Sequence, residues 1–249
     1  MGFPELLKPG TDAFFQLIQL WLQDCDHSHI DCRGLGQDYM PTRLIDVGSS
    51  ENSRLCLLET CKEKPKDSRY IALSHRWGDA AKHPPFKTLQ KNLNSFLKEI
   101  PYDQLPATFK DAVKVTRALG IQYLWIDSIC IIQGDDGDFS SEAKSMEDVF
   151  SCAYFVLAAS RATSQHDGFL KDHPKREYIT FQRGAEKPFY VCQHVDDFSR
   201  DVLEGSLNSR GWVLQERVLA RRTVFFTETQ TYFECGSGVR CESLAKMHK

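Results

Sequence analysis

No apolar run in this chain is long enough to cross a bilayer. The longest, "FFQLIQLWL", is short and interrupted by glutamines. The opening "MGFPELLKPG" lacks the apolar segment of a secretory signal. Its sixth residue, Leu6, is not the Ser or Thr that myristoylation favours. A basic excess is missing too: the net charge is -3, which offers no field for nucleic acid. These absences predict a cytoplasmic protein with no membrane span and no nucleic-acid partner. Several site signatures are also lacking. Gly34-Leu35-Gly36 does not extend to GxGxxG, and neither a GxxxxGK[ST] loop nor a GxSxG elbow occurs. That argues against dinucleotide-dependent dehydrogenases, ATPases and serine hydrolases. No cluster of metal-binding carboxylates suggests a nuclease.

What is present is an ordinary globular mixture, 41% hydrophobic and 26% charged over 249 residues, so a core forms without staples. Nine cysteines, an odd number, predict reduced thiols in a cytosolic or nuclear compartment rather than a disulfide framework.

Periodicity places the elements. Residues 11–24 read as an amphipathic helix with Phe14, Leu17, Ile18, Trp21 and Leu22 on one stripe, followed by a turn-rich loop to about 40. "TRLIDV" and "RLCLLET" read as a hairpin. "YIALS" is a short apolar strand. "DQLPATFKDAVKVTRALG" is a helix with Pro106 in its first turn, a stripe of Phe109, Ala112, Val113, Thr116 and Leu119, and Gly120 as its stop. "IQYLWID" is a strand. Ser140 or Ser141 caps a further helix lined by Ala143, Met146, Val149, Phe150 and Ala153. "YFVLAAS" is a continuous apolar strand of the kind found at the centre of a parallel sheet. A polar insertion, about 165–205, carries weaker strands at "YITFQ" and "FYVCQ". A helix around 212–222 and the strands "TVFFT" and "TYFEC" follow. The alternation from residue 70 predicts an α/β fold with a doubly wound, mainly parallel sheet. Residues 1–65 form an N-terminal helical and hairpin extension packed on a core domain spanning 66–249.

Ligands of such sheets bind beyond the carboxyl ends of the strands. Three strand ends carry polar groups: Ser74-His75-Arg76-Trp77-Gly78, Asp127-Ser128 and Ser160-Arg161. Arg76 suits a phosphate or carboxylate. Gly78 permits a sharp turn. Trp77 either stacks on a ring or packs into the core. Asp127 either binds a hydroxyl or metal, or caps the next segment. Cys130 reads as a small buried hydrophobe. Cys25, His27, His29 and Cys32 have zinc-ligand chemistry at non-standard spacing, a weak alternative to a polar loop. Cys235 and Cys241 read as turn residues. In "SRGWVLQERVLARR", Trp212 and Glu216 share a helix face. By composition alone, Trp212, Leu214, Val218 and Leu219 point inward there, and Glu216, Arg217, Arg221 and Arg222 face solvent.

"YIALSHRWG", "LWIDSICIIQ", "VFSCAYFVLAAS", "SRGWVLQERVLARR" and "YFEC", in that order, resemble the heterokaryon-incompatibility (HET) domain of fungal proteins. "WLQDCDHSHIDC" and "PTRLIDV" resemble the segment that often precedes it. The resemblance covers nearly the whole chain. HET domains trigger cell death when incompatible hyphae fuse, and the family is considered a distant relative of the TIR domain. It therefore implies a TIR-like, flavodoxin-like sheet and cleavage of NAD+ at the nicotinamide–ribose bond. In TIR enzymes the catalytic glutamate lies in the pattern Ser-x-Trp-Cys-x-x-Glu. Trp212 and Glu216 repeat the Trp-to-Glu spacing, and Ser209 lies three residues before the tryptophan rather than two. The resemblance implies Glu216 as the catalytic residue and Ser74, Arg76, Trp77, Gly78, Asp127, Arg210 and Trp212 as the residues that bind NAD+. It implies no catalytic metal, a homo-oligomer on activation and an upstream sensor. The alternative is a non-enzymatic adaptor that kills by self-association.

Overall fold

A computed structural model describes residues 5–32, 39–48, 53–184, 188–192, 196–205, 207, 216–243 and 246–247. Helix α1 (Asp12–Ser28) opens it, capped by Thr11, whose hydroxyl accepts from the Phe14 amide. Of the stripe read from the sequence, Phe14, Ile18, Trp21 and Leu22 are buried and Leu17 is half-buried, and Phe15 and Cys25 join the buried face. The helix runs four residues beyond its predicted end. Its last turn is acidic, and tertiary partners take up that charge. Arg222 pairs with Asp26 at 2.6 Å, the Tyr154 hydroxyl donates to Asp26 at 2.7 Å, and Arg240 pairs with Asp24.

The predicted hairpin forms from β1 (Arg43–Asp46) and β2 (Cys56–Glu59), which pair antiparallel. Strand β3 (Tyr70–Ser74) follows, buried at every residue. Helix α2 (Gln90–Lys98) lies in a stretch too charged for its short apolar stripe to be read as a helix. Helix α3 (Ala107–Ala118) buries Phe109, Ala112, Val113 and Thr116, and Gly120 ends it at φ +69°. Strand β4 (Tyr123–Trp125) leads directly into the short helix α4 (Asp127–Cys130).

The single helix expected next is broken. Helix α5 (Phe139–Glu142) and helix α6 (Met146–Cys152) flank a 3₁₀ turn, Ala143–Ser145. Neither Ser140 nor Ser141 caps it; Asp138 stands at the N-cap position. The Asp138 carboxylate is occupied elsewhere, accepting from the Ile132 amide at 2.8 Å and pairing with the buried Arg43. Strand β5 (Phe155–Ala158) comes next. The insertion folds as an antiparallel ribbon, β6 (Tyr178–Phe181) and β7 (Phe189–Cys192), separate from the main sheet. Strands β8 (Arg222–Phe226), β9 (Thr231–Cys235), β10 (Gly238–Cys241) and β11 (Lys246–Met247) complete the fold.

The main sheet has the order β11-β10-β9-β8-β5-β3-β4-β1-β2. Its centre is parallel: β4 and β5 both pair with β3, and β8 pairs with β5. Both flanks are antiparallel. The sheet is therefore α/β but mixed, rather than mainly parallel. The reason lies in the connections. Strand pairs joined by short turns, such as β8–β9, can only pair antiparallel, whereas helix-bearing crossovers return the chain parallel. The N-terminal hairpin extends this sheet through β1 beside β4. Helix α1 packs against α3, where Gln19 Nε2 donates to the Ala118 carbonyl at 3.2 Å. The Trp21 ring stacks on Phe233 of β9 at 6.1 Å, and Phe14 meets Phe226 of β8 at 6.0 Å. No helix among the described residues is long and apolar enough to cross a membrane.

These contacts make α1 part of the core. Phe14→Ala removes a fully buried ring and is expected to lower unfolding free energy by about 3–5 kcal/mol. Urea titration should show one transition, at lower midpoint, by circular dichroism and by tryptophan fluorescence alike. A separate early transition with the main one unmoved would mean that α1 is an independent unit.

Candidate active site at the carboxyl edge of the sheet

The three central strands end at one edge. Side chains alternate along β3, so Tyr70, Ala72 and Ser74 share a face. Helix α6 covers that face, its Val149 carbonyl accepting from the Tyr70 hydroxyl at 2.6 Å. At the open end of the same strand Ser74 is buried, and its Oγ donates to Glu216 Oε2. Glu216 lies in a helical turn, described over 216–219, and is half-buried. The turn is held from two sides. Arg217 makes a two-pronged pair with Glu234 of β9 at 3.0 and 2.9 Å, and Arg221 Nε donates to the Ser151 carbonyl at 2.7 Å.

This geometry departs from the composition-based reading at two positions, while Leu219, expected inward, is half-buried and packs on the core. Val218, expected inward, is 74% exposed, and Arg222, expected in solvent, is 4% exposed. Helix phase follows the strongest available partners rather than hydrophobicity. Two ion-paired or hydrogen-bonded arginines and the Ser74–Glu216 contact outweigh one valine, whose burial contributes only about 1.5–3 kcal/mol.

Behind Ser74 the loop is fixed by Asp127. Trp77 Nε1 donates to Asp127 Oδ2 at 2.7 Å, and Asp127 Oδ1 accepts from the Ser128 amide at 2.6 Å. His75, buried, places Nδ1 3.8 Å from Asp127 Oδ1 and sets its ring edge-on against Phe109 of α3. Both Asp127 oxygens thus have protein partners, and this carboxylate orients Trp77. Arg76 is half-buried and has no hydrogen bond or ion pair among the described residues. Gly78 has φ +88°, and a Cβ there would lie 2.6 Å from the Ser164 Cβ, so the loops after β3 and β5 touch through this glycine. Arg210 and Trp212 lie outside the described residues.

One polar strand-end group from the sequence does not converge on this edge, and Cys130 is the buried hydrophobe it reads as. Arg161 turns away to the Lys171 carbonyl at 2.6 Å and Glu228 at 3.1 Å, where it fastens the start of the insertion. Cys130 is fully buried, and burial pushes its thiol up to about 12, which removes it as a nucleophile at neutral pH. The Cys/His loop lies elsewhere. Cys25, His29 and Cys32 are together, whereas His27 Nδ1 is turned to the Gln23 carbonyl at 2.6 Å. Cys235, read as a turn residue, is the last residue of β9, and Cys241 is the last of β10. His75, named in the sequence only as part of the polar strand end, is the residue there whose place between Asp127 and Phe109 was not assigned. The signal was its place directly after an apolar strand, one residue from the Ser74 that meets Glu216.

The model of the heterokaryon incompatibility protein (HET) family matches residues 70–216, from the first residue of β3 to Glu216 itself. The chain belongs to that family. It is also 26% identical over 224 residues to heterokaryon incompatibility protein 6, OR allele, of Neurospora crassa, a match covering 74% of this chain. The chain spans only about a third, 32%, of that relative's length. No solved structure matches it.

The contact at Gly78 gives a direct test of how tightly the two loops are joined. Gly78→Ala meets both a left-handed backbone and the Ser164 side chain. It is expected to cost about 1–3 kcal/mol, read as a lowered midpoint in thermal or urea unfolding. Ser164→Gly should restore part of that loss.

Proposed function

We propose that this HET domain cleaves NAD+ at the nicotinamide–ribose bond, with Glu216 as its catalytic carboxylate. The single observation behind this reading is the Ser74–Glu216 hydrogen bond at the carboxyl end of the central parallel strand. The four parallel strands run β4-β3-β5-β8, and numbered in chain order that is 2-1-3-4, an order that supports the flavodoxin-like reading. The crevice where such an order reverses lies beside the end of β3, and ligands of doubly wound sheets bind there.

The chemistry asks little of the protein. Nicotinamide in NAD+ carries a positive charge and leaves as a neutral base, so no general acid is required. This differs from ordinary glycoside cleavage with its two carboxylates. As the glycosidic bond breaks, positive charge develops on the ribose. A carboxylate positioned there stabilises it and orients the attacking water. Water then supplies the new C1–O bond, and the products are nicotinamide, ADP-ribose and a proton. Glu216 fits this role. Ser74 positions the glutamate. Arg76, half-buried without an internal partner among the described residues, suits the diphosphate, and Trp77, held by Asp127, suits ring stacking. Arg210 and Trp212 belong to the same proposal through the Trp-to-Glu spacing. In the cell, this activity would make the whole protein a cytoplasmic cell-death effector in fungal incompatibility, firing as a homo-oligomer when an upstream sensor calls it. The name of the Neurospora relative supports that setting.

The test is NAD+ turnover by the purified, concentrated chain. Glu216→Ala is expected to lower kcat by at least about 100-fold, the scale seen when a preorganised electrostatic group is removed. Ser74→Ala should lower kcat with KM little changed. An active Glu216→Ala refutes the assignment.

A second reading, a self-associating adaptor without catalysis, is favoured by the β6–β7 ribbon. There Tyr178, Ile179, Phe181, Phe189, Tyr190 and Val191 are all exposed. In that case Ile179→Asp with Phe189→Asp would abolish killing in a fungal cell-death assay while Glu216→Ala would leave it intact. The NADase reading expects Glu216→Ala to abolish killing.

A further inference from the structure

The end of α1 and the end of β9 bring four metal-ligand side chains to one point. Cys25, His29, Cys32 and Cys235 each offer a ligand atom, and these atoms all lie within 4.8 Å of one another. Cys235 Sγ is 3.5 Å from His29 Nδ1. The three cysteines are 0–4% exposed and His29 is half-buried. We propose that these four residues bind a structural Zn²⁺ with tetrahedral Cys₃His coordination.

Backbone geometry supports the set. Cys25 and His29 are one helical turn apart, and the His29 amide still donates to the Cys25 carbonyl at 3.1 Å. The following 3₁₀ turn, Ile30–Cys32, brings Cys32 back to the same side. Gly236 follows Cys235, and a Cβ on it would lie 3.3 Å from Cys32 Sγ, so the glycine leaves room for that sulfur. Zinc bonds of about 2.3 Å to sulfur and 2.0 Å to nitrogen set ligand–ligand separations near 3.4–3.8 Å, so the observed cluster needs only about 1 Å of contraction. A disulfide between two of the sulfurs would leave the third and the imidazole without a purpose.

The charge also fits. Three thiolates, a neutral imidazole and Zn²⁺ sum to one negative charge, and binding sends the thiol protons to solvent. A buried cation stands beside the site. Arg222 Nη2 donates to the Cys32 carbonyl at 3.1 Å, while its Nε and Nη1, also buried, have no hydrogen-bond partner among the described residues. With all four positions filled by protein, the ion has no open site for substrate and ties residues 25–32 to residue 235. It would sit behind the candidate active site, because Cys32, Arg217, Glu234 and Cys235 line one cavity.

The experiment uses the untagged full chain purified under reducing conditions, and it does not depend on NAD+ cleavage. Elemental analysis should find zinc at one equivalent per chain. X-ray absorption should report three sulfur neighbours and one nitrogen, and Co²⁺ exchange should give a tetrahedral thiolate spectrum. His27→Ala should leave all of this unchanged. Cys235→Ser and His29→Ala should weaken Zn²⁺ retention against a chelator by 10-fold or more. If those variants do not fold, absorption on the native chain decides. Wild type that neither carries nor takes up Zn²⁺, a Cys25–Cys235 disulfide in the reduced preparation, or loss of metal in His27→Ala would each overturn the proposal.

Discussion

The parallel pairing of β3 with two neighbours at once is the constraint on which everything else rests. Ala72 stands opposite both Trp125 of β4 and Val156 of β5, so all three strands point the same way and stop at the same edge. A strand in that position is covered on both faces and must be apolar throughout, which "YIALS" is until its last residue. Ser74 is where this requirement ends. A hydroxyl there is buried and needs a partner, and Glu216 supplies one from 142 residues further along the chain. The polar edge is thus a consequence of how the strands terminate. Its side chains meet because the crossovers between the strands leave them side by side.

What could be read in advance follows the range of the forces involved. Strands β3, β4 and β5 and helix α3 declare themselves through local periodicity, and their buried faces are those the pattern assigns. The Ser74 and Asp127 edge was legible because strand order follows from the alternation of elements. Features decided by long-range charge were not. The last turn of α1 depends on Arg222 and Arg240, roughly two hundred residues away, and the helix break at 143–145 accompanies an Asp138 committed to Arg43. Phase in the 216–219 turn was misread for the same reason, since hydrophobicity ranks Val218 above Glu216 while the tertiary partners do the opposite. Cys235 reads from the sequence as a turn residue, and only the fold, by putting α1 beside β9, gives it other partners.

Buried arginines are the recurring device. Arg43 donates to the Cys130 carbonyl at 2.8 Å and pairs with Asp138, and Arg222 spans Asp26 and the Cys32 carbonyl. Desolvating such a charge is costly unless its partners are fixed, so each pair tolerates few alternative arrangements. Arg43 joins the N-terminal hairpin to the segment after β4. Arg222 joins the start of β8 to α1. Both connect parts of the chain that hydrophobic packing alone would hold with less defined register.

The antiparallel flanks therefore do more than widen the sheet. Glu216 is held in front by Ser74, and the turn that carries it is held behind by Arg217 on Glu234. Glu234 is on β9, which is in register with β8 through Thr223 and carries Cys235 as its next residue. Trp21 of α1 stacks on Phe233 of the same strand. Any shift of β9 along β8 would move Glu234 by a whole residue, about 3.4 Å, and with it the rear anchor of the candidate catalytic turn. Residues 12–32, which precede the matched family segment, thus help fix the position of its final residue. Under the proposed NAD+ cleavage, a carboxylate that faces a developing charge to within a fraction of an ångström needs that rigidity, and here it would come from outside the parallel core.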